Sequence, residues 1–201
     1  MHIAEGILTP GVITAGYAVS IMGCAWGLYR VPPEVVVRMG MLAAAFFAFS
    51  LLHVPIAGTS VHLLGLGVMG ALLGHRVWPT IIVALTIQAL FLGYGGLTSL
   101  GVTAAIIAIP ALMAGWSIRH SGRYHILVAG IAGFTAVQLA LALLTLSLWV
   151  SGAGFTAWIF ILAHQPVAIL EGALCAGAVQ YLRHNHTLRP PSSNTPTAKQ
   201  S

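Results

Sequence analysis

The residues with the strongest claim to chemistry stand at the start of the chain, Met1-His2. The α-amine of Met1, the backbone nitrogen of His2 and Nδ1 of its imidazole can close a five-membered and a six-membered ring on one metal ion. Such a set is planar and leaves a fourth corner open. Planar nitrogen donation suits Ni(II) or Cu(II), with Co(II) admissible, far better than Zn(II), Mg(II) or Ca(II). A Met-His start is also a common unstructured terminus, so the chelate needs a fourth donor from elsewhere in the sequence. It also needs a free amine, neither formylated nor acetylated. A side chain as large as His2 disfavours removal of the initiator methionine. The first residues carry no positive stretch, and the first apolar run has no small-residue cleavage site after it, so no signal peptide is read and Met1 is expected to be the mature terminus.

The composition sets the elements that must position this group. Of 201 residues 58% are apolar and 5% charged, and aspartate is absent, which places the chain among polytopic membrane proteins. Seven apolar runs can be marked off, at about 10–29, 36–56, 61–75, 78–94, 100–118, 126–150 and 155–182, each long enough or nearly so to cross a bilayer. The expected fold is all-α: a bundle of seven transmembrane helices forming one domain over residues 1–186, with no sizeable soluble domain. The Pro-, Ser- and Thr-rich segment 187–201 reads as a disordered cytoplasmic tail.

The eight Arg and Lys residues then sort by face. Arg30 and Arg38, Arg76, Arg119 and Arg123, and Arg183, Arg189 and Lys199 all fall in alternate gaps, so seven spans put every cation on one side. By the positive-inside rule that side is cytoplasmic and the amino terminus external; the expected membrane is the bacterial inner membrane. The cations are scattered in ones and twos, which argues against a nucleic-acid partner. Cys24 and Cys175 both lie inside apolar runs and read as small core residues rather than a disulfide or a CxxC site.

Nine histidines against three acids is an unusual ratio for so apolar a chain. His75, His120, His125, His184 and His186 sit beside arginines on the cytoplasmic side. His53, His62 and His164 lie at or below the external face, where polar groups at membrane depth are costly enough to be functional candidates. His62 is the best fourth donor. It follows Gly58-Thr59-Ser60 at the external start of the third run, where it can reach an amino-terminal segment folded back among the helices. Thr59 and Ser60 can cap that helix start or donate hydrogen bonds that orient the ring. Glu5 neutralises the bound cation, accepts a hydrogen bond from the His2 imidazole, or caps the first helix. His164 and Glu171 are seven residues apart, roughly 10 Å along one helix stripe, too far to share an ion; His164 reads as an entry step and Glu171 as an interhelical hydrogen bond.

Small residues recur at packing spacing in the first run (Gly16, Ser20, Cys24; Gly23, Gly27) and the third (Gly70, Gly74), so close helix contacts are expected there, within the chain or with a partner. Gln88 and Gln138 read as interhelical hydrogen-bonders.

Several ordered motifs carry a family resemblance: Met1-His2-Ile3-Ala4-Glu5-Gly6, Gly58-Thr59-Ser60-Val61-His62-Leu63, Gln88-Ala89 with Gly95-Gly96-Leu97-Thr98-Ser99-Leu100-Gly101, and Glu171-Gly172. Over about residues 1–183 the chain resembles the CbiM/NikM family, the substrate-capture subunits of energy-coupling-factor importers for cobalt and nickel. The resemblance implies a metal held by the Met1 amine, the His2 backbone and ring nitrogens, and His62. It implies no permanent cofactor, with Co(II) or Ni(II) as transported ligand. Implied partners are a transmembrane coupling subunit, ATP-binding subunits and often a small accessory membrane subunit. Tyr94 stands where family members commonly have Asp or His, and Thr103 where they commonly have Asn, departures that bear on affinity or metal choice.

Two other classes compete. A self-sufficient divalent-cation permease or channel usually lines a midplane path with carboxylates, and only Glu171 stands there. An intramembrane hydrolase built on Ser60 and a histidine lacks an orienting acid, since aspartate is absent. The chain has no GxxxxGK[ST] loop, so an ATP-driven role requires another polypeptide to hydrolyse ATP, and the chain itself is not read as an enzyme.

Overall fold

A computed structural model describes residues 3–52, 54–56, 59–153 and 157–185, with the side chains of 54–56, 59–61 and 157–159 left aside. The chain forms α1 (Pro10–Leu28), α2 (Pro33–Leu51), a ribbon of β1 (Val54–Ile56) and β2 (Thr59–Val61), α3 (Leu66–Leu73), α4 (Val77–Leu92), α5 (Leu100–Arg119), α6 (His125–Val150), α7 (Ala157–Ala163) and α8 (Gln165–His184). Short 3₁₀ turns at Gly74–Arg76 and Gly122–Tyr124 join α3 to α4 and α5 to α6. The described architecture is helical apart from the ribbon, in which Val54 faces Val61, Pro55 faces Ser60 and Ile56 faces Thr59.

Six stretches are long and apolar enough to cross a membrane. The third of them, Leu66–Leu92, is not one straight helix. α3 runs alongside α5 in the same direction, with Gly70 against Ala111 and Gly115. α4 returns antiparallel, placing Leu85 and Ala89 beside Leu100 and Thr103. The chain reverses at Gly74, whose φ of +58° is a backbone conformation glycine adopts without a Cβ penalty. Gly74 therefore turns the chain instead of joining Gly70 in a packing stripe, as the spacing had suggested.

The eight residues of α3 rise only about 12 Å, well short of a bilayer core of about 30 Å. The second and third apolar runs were expected to be helical to residue 56 and from residue 61, but α2 ends at Leu51 and α3 starts only at Leu66: Pro55 breaks helix propagation, the β-branched Val54, Ile56, Thr59 and Val61 suit a ribbon, and Gly65 at φ +66° sets the entry to α3. The run from 155 to 182 is likewise divided, with His164 standing between α7 and α8.

α5 lies at the centre: 72% of its most apolar window is buried, against 22% for α1 and for α2. The small residues of α1 pack within the chain. A Cβ on Gly16 would lie 2.3 Å from Val102, and one on Gly23 2.3 Å from the Trp78 ring, while Ser20 Oγ donates to Gly101 O at 2.6 Å. Gln88 Nε2 donates to Ser50 Oγ at 2.7 Å and Gln138 Nε2 to Gln165 Oε1 at 2.9 Å, the interhelical roles expected of them. Cys24 and Cys175 are free thiols, half-buried and buried respectively.

The tightest approach is backbone on backbone: a Cβ on Gly70 would sit 1.7 Å from Ala111 O, and one on Gly115 2.0 Å from Gly70 C. No rotamer change relieves either clash. Gly70→Ala or Gly115→Ala is expected to wedge α3 from α5 at a cost at or above the ~1–3 kcal/mol usual for overpacking, read as a fall in the thermal unfolding midpoint of detergent-purified protein.

The bundle has two chemically distinct ends. Tyr29 and Arg30 close α1 beside the Gly74–Arg76 turn, where Trp26 stacks on His75 at 4.9 Å between ring centroids. Arg183 Nη1 donates to Gly122 O at 3.2 Å, which brings the end of α8 to the same end of the bundle. The segment before α1 and the α4–α5 loop lie at the opposite end.

Candidate metal centre

Met1, His2 and His53 lie outside the described residues, so the geometry bears on what flanks them. The segment that follows His2 is inserted into the protein. Ile3 is 3% exposed and Leu8 7%. Ile3 O accepts from Gly96 N at 3.0 Å and from Ser99 Oγ at 2.6 Å, and Thr9 N donates to Ser151 Oγ at 3.2 Å. Residues 3–9 are thus held against the α4–α5 loop and Ser151 rather than trailing in solvent.

Glu5 supplies the second tie. Its Oε1 accepts from Thr98 N at 3.1 Å, and its Oε2 from the Thr98 hydroxyl. These donors, the hydroxyl first, hold the Glu5 carboxyl below the ordinary carboxylate value, because they favour its charged form. Glu5 does not cap α1, whose N-cap is Thr9; it fastens residues 3–8 to the residues that lead into α5. The loop that receives it is shaped by Gly93 (φ +63°), which ends α4 in the left-handed conformation that glycine tolerates.

Gly96 is small because Glu5 lies on it. A Cβ there would meet Glu5 Cδ at 2.5 Å and Oε1 at 2.7 Å, and the carboxyl cannot swing away without leaving Thr98. Gly96→Ala is therefore expected to loosen residues 3–8, seen as faster amide exchange across that segment with unchanged exchange in α5 and α6.

His62 is the second component. It is 5% exposed, stands between β2 and α3, and places Nδ1 3.1 Å from Leu63 O. The segment that carries it is fixed by Glu171, a fully buried residue of α8. Glu171 Oε1 accepts from Leu66 N at 2.6 Å and Oε2 from Leu64 N at 3.1 Å. The first N–H groups of a helix have no intrahelical acceptor, and Gly65, at the N-cap of α3, offers no side-chain cap. A carboxyl from another helix meets that need and is favoured by the positive end of the α3 dipole. At the other end Arg119 Nη1 donates to Gly70 O at 2.6 Å, so α3 is capped at both ends by side chains of other helices.

The backbone of Thr59 and Ser60 belongs to β2 and precedes the start of α3 at Leu66, where the N–H groups are met by Glu171. His164 is 3% exposed, its Nδ1 lies 2.7 Å from Phe160 O, and its Nε2 is buried without a hydrogen-bond partner among the described residues. Tyr94 and Thr103, with Gly95, Gly96 and Leu100, line a small pocket behind the loop that receives Glu5. Among the described residues no three His, Cys, Asp or Glu side chains converge on a metal position, so a site at His62 needs donors from elsewhere in the chain.

Composition and spacing did not single out Thr98, Ser99 or Gly96 as the receptors of the amino-terminal segment. Their only signal was the ordered motif Gly95–Gly101.

The match extends along nearly the whole chain. The family described as cobalt uptake substrate-specific transmembrane region, CbiM, matches residues 2–188. The chain belongs to the CbiM family. It is 37% identical over 207 residues to the cobalt transport protein CbiM of Sorangium cellulosum, covering 91% of each chain. It is 34% identical over 213 residues to the cobalt transport protein CbiM of Geobacter sulfurreducens, covering 94% of this chain and 60% of that one. Its fold is that of the crystal structure of a truncated transition metal transporter, at a TM-score of 0.77 and 23% identity, covering 92% of this chain and 99% of that one. With its apolar helices, this CbiM-family chain is a multi-pass membrane protein.

Proposed function

We propose that this CbiM-family protein is the capture subunit of an ATP-driven importer of the energy-coupling-factor type, binding Co(II) or Ni(II) from the external side of the bacterial inner membrane. The observation that carries the reading is the burial of Ile3 and its carbonyl's hydrogen bonds to Gly96 N and Ser99 Oγ. A chain start fixed at its third residue gives Met1 and His2 little reach, as a terminal chelate requires. In this reading the Met1 amine, the His2 amide nitrogen, the His2 Nδ1 and a ring nitrogen of His62 hold the metal, with Glu5 and Glu171 holding the two segments that bring them together.

Topology follows from charge. The six described arginines sit at the end of the bundle away from Ile3–Leu8, and that end is cytoplasmic by the positive-inside rule. Counting α3 and α4 as separate passes, with the ribbon and the His62 segment completing the first of them, gives seven passes and an external amino terminus. Residues 1–186 then form one membrane domain and 187–201 a cytoplasmic tail.

Metal binding displaces the proton of the His2 amide, so affinity rises with pH. Release follows when partner subunits pull the amino-terminal segment from His62, which requires them to favour the separated state. The partners are a transmembrane coupling subunit, ATP-binding subunits and a small accessory membrane subunit. Relatives named for cobalt and, in Archaeoglobus fulgidus, for nickel support either ion as cargo; planar nitrogen donation and the Irving–Williams order lean toward nickel.

The competing reading is a self-sufficient permease, and uptake separates the two. Cells making this subunit with coupling and ATP-binding partners are expected to accumulate radioactive cobalt or nickel, and cells making it alone to show background uptake. Equal uptake in both would remove the importer-subunit reading in favour of the permease.

A further inference from the structure

At the end of the bundle away from the candidate metal centre, a cavity of about 710 Å³ opens between the last turn of α1, the Ala71–Arg76 stretch and the last two turns of α5. Its lining changes character along its length. Toward the middle of the bundle it is apolar, with Leu72, Leu112 and Met113; toward the end it carries His75, Arg76 and Arg119. None of the three glutamates lines it. Arg76 Nε is buried with no hydrogen-bond partner among the described residues, and Arg119 commits Nη1 to Gly70 O. Trp26 and Trp116 also line the cavity while remaining 53% and 61% exposed.

We propose that this cavity binds an acidic phospholipid, its phosphate against Arg76 and Arg119 and its acyl chain along Leu72, Leu112 and Met113. An amphiphile aligned with the bundle axis matches the gradient from apolar to cationic. The uncompensated positive charge calls for an anion, and basic pockets between transmembrane helices commonly take acidic head groups. Half-exposed tryptophans at that level suit the membrane–water interface. A partner helix, about 10–12 Å across with its side chains, would instead need an apolar face along the whole groove. Under the topology proposed above, the lipid belongs to the cytoplasmic leaflet.

The full-length protein, purified and passed through graded delipidation, is offered phosphatidylglycerol or phosphatidylcholine and its retained lipid is counted by native mass spectrometry. The expected result is preferential retention of phosphatidylglycerol. Arg76→Gln should cut that retention about fivefold, the factor corresponding to roughly 1 kcal/mol for one cation near an anionic lipid surface. Trp116→Ala should lower retention of both lipids, and Arg38→Gln, which removes a cation that does not line the cavity, should leave the count unchanged. Millimolar inorganic phosphate should not displace the lipid.

Equal retention of the two lipids, or no effect of Arg76→Gln in protein whose unfolding midpoint is unchanged, would overturn the proposal. Displacement by phosphate alone would reassign the site to a free anion. Loss of co-purifying coupling subunit in Arg76→Gln with lipid counts unchanged would reassign it to a protein partner.

Discussion

Replacing His62 with alanine is expected to abolish stoichiometric binding of Ni(II) or Co(II) by the purified protein, and so are His2→Ala and the insertion of one residue before His2. The insertion discriminates best, because it keeps every side chain and moves only the amine. In the proposed chelate three of the four nitrogens come from Met1 and His2, and with proline as the inserted residue the amine leaves its five-membered ring with no added amide N–H to replace it. Removing a group that merely orients a ligand costs about 10–100-fold in affinity; loss of a donor nitrogen should exceed that. Equilibrium dialysis or calorimetry with each ion measures the loss. His2→Ala and the insertion lie ahead of the buried Ile3, and unchanged unfolding midpoints would show that the lost binding is not lost folding. Binding within a few-fold of wild type in either variant would remove the chain start as a ligand.

How much of this was legible in the sequence differs by kind of signal. Apolar runs located α1, α4, α5 and α6 closely, because for these helices length and composition are the whole instruction, while the run at 36–56 overran α2 into β1. The same criterion misread the third run, since hydropathy does not distinguish a full-length helix from a ribbon, an irregular segment and the eight residues of α3. Irregular backbone is tolerated at that depth only where protein supplies hydrogen-bond partners, and the partner, Glu171, is more than a hundred residues away in sequence. That pairing has no local signature.

The site divides along the same line. His62 could be marked because a polar group at membrane depth is costly, and Glu5 because a carboxylate three residues from His2 could neutralise a bound cation. What each contacts, Leu63 O for His62 and Thr98 for Glu5, follows from tertiary proximity that periodicity does not encode. Thr59 and Ser60 were offered on residue type as a helix cap or as donors orienting the His62 ring. Their backbone runs in β2, and the start of α3 is met by Glu171.

Glu171→Ala is expected to be the most destabilising single change among the described polar residues. Its two oxygens accept from Leu64 N and Leu66 N, and it lies roughly 20 Å along α8 from the His184 end at 1.5 Å per residue, well inside the apolar layer. Truncation would leave two backbone N–H groups without an acceptor, each at about 1–3 kcal/mol, and in hydrocarbon surroundings water does not replace the lost partner. The sum, about 2–6 kcal/mol, is a large share of the roughly 5–15 kcal/mol by which folded proteins are stable. Glu171→Gln keeps one carbonyl oxygen for one of the donors but turns an NH₂ group toward the other, so it should fall between alanine and wild type. The measurement is amide exchange at Leu64 and Leu66 alongside thermal unfolding in detergent. Accelerated exchange at those two amides, with α1 and α2 unaffected, would show that the carboxyl holds the start of α3. Wild-type exchange there in Glu171→Ala would mean that other groups cap the helix. Because His62 is carried on the segment Glu171 anchors, the glutamine variant should also weaken metal binding by about 10–100-fold, the range found when an orienting group rather than a ligand is lost. The fall in stability and the fall in affinity should then track one another across the alanine, glutamine and wild-type proteins.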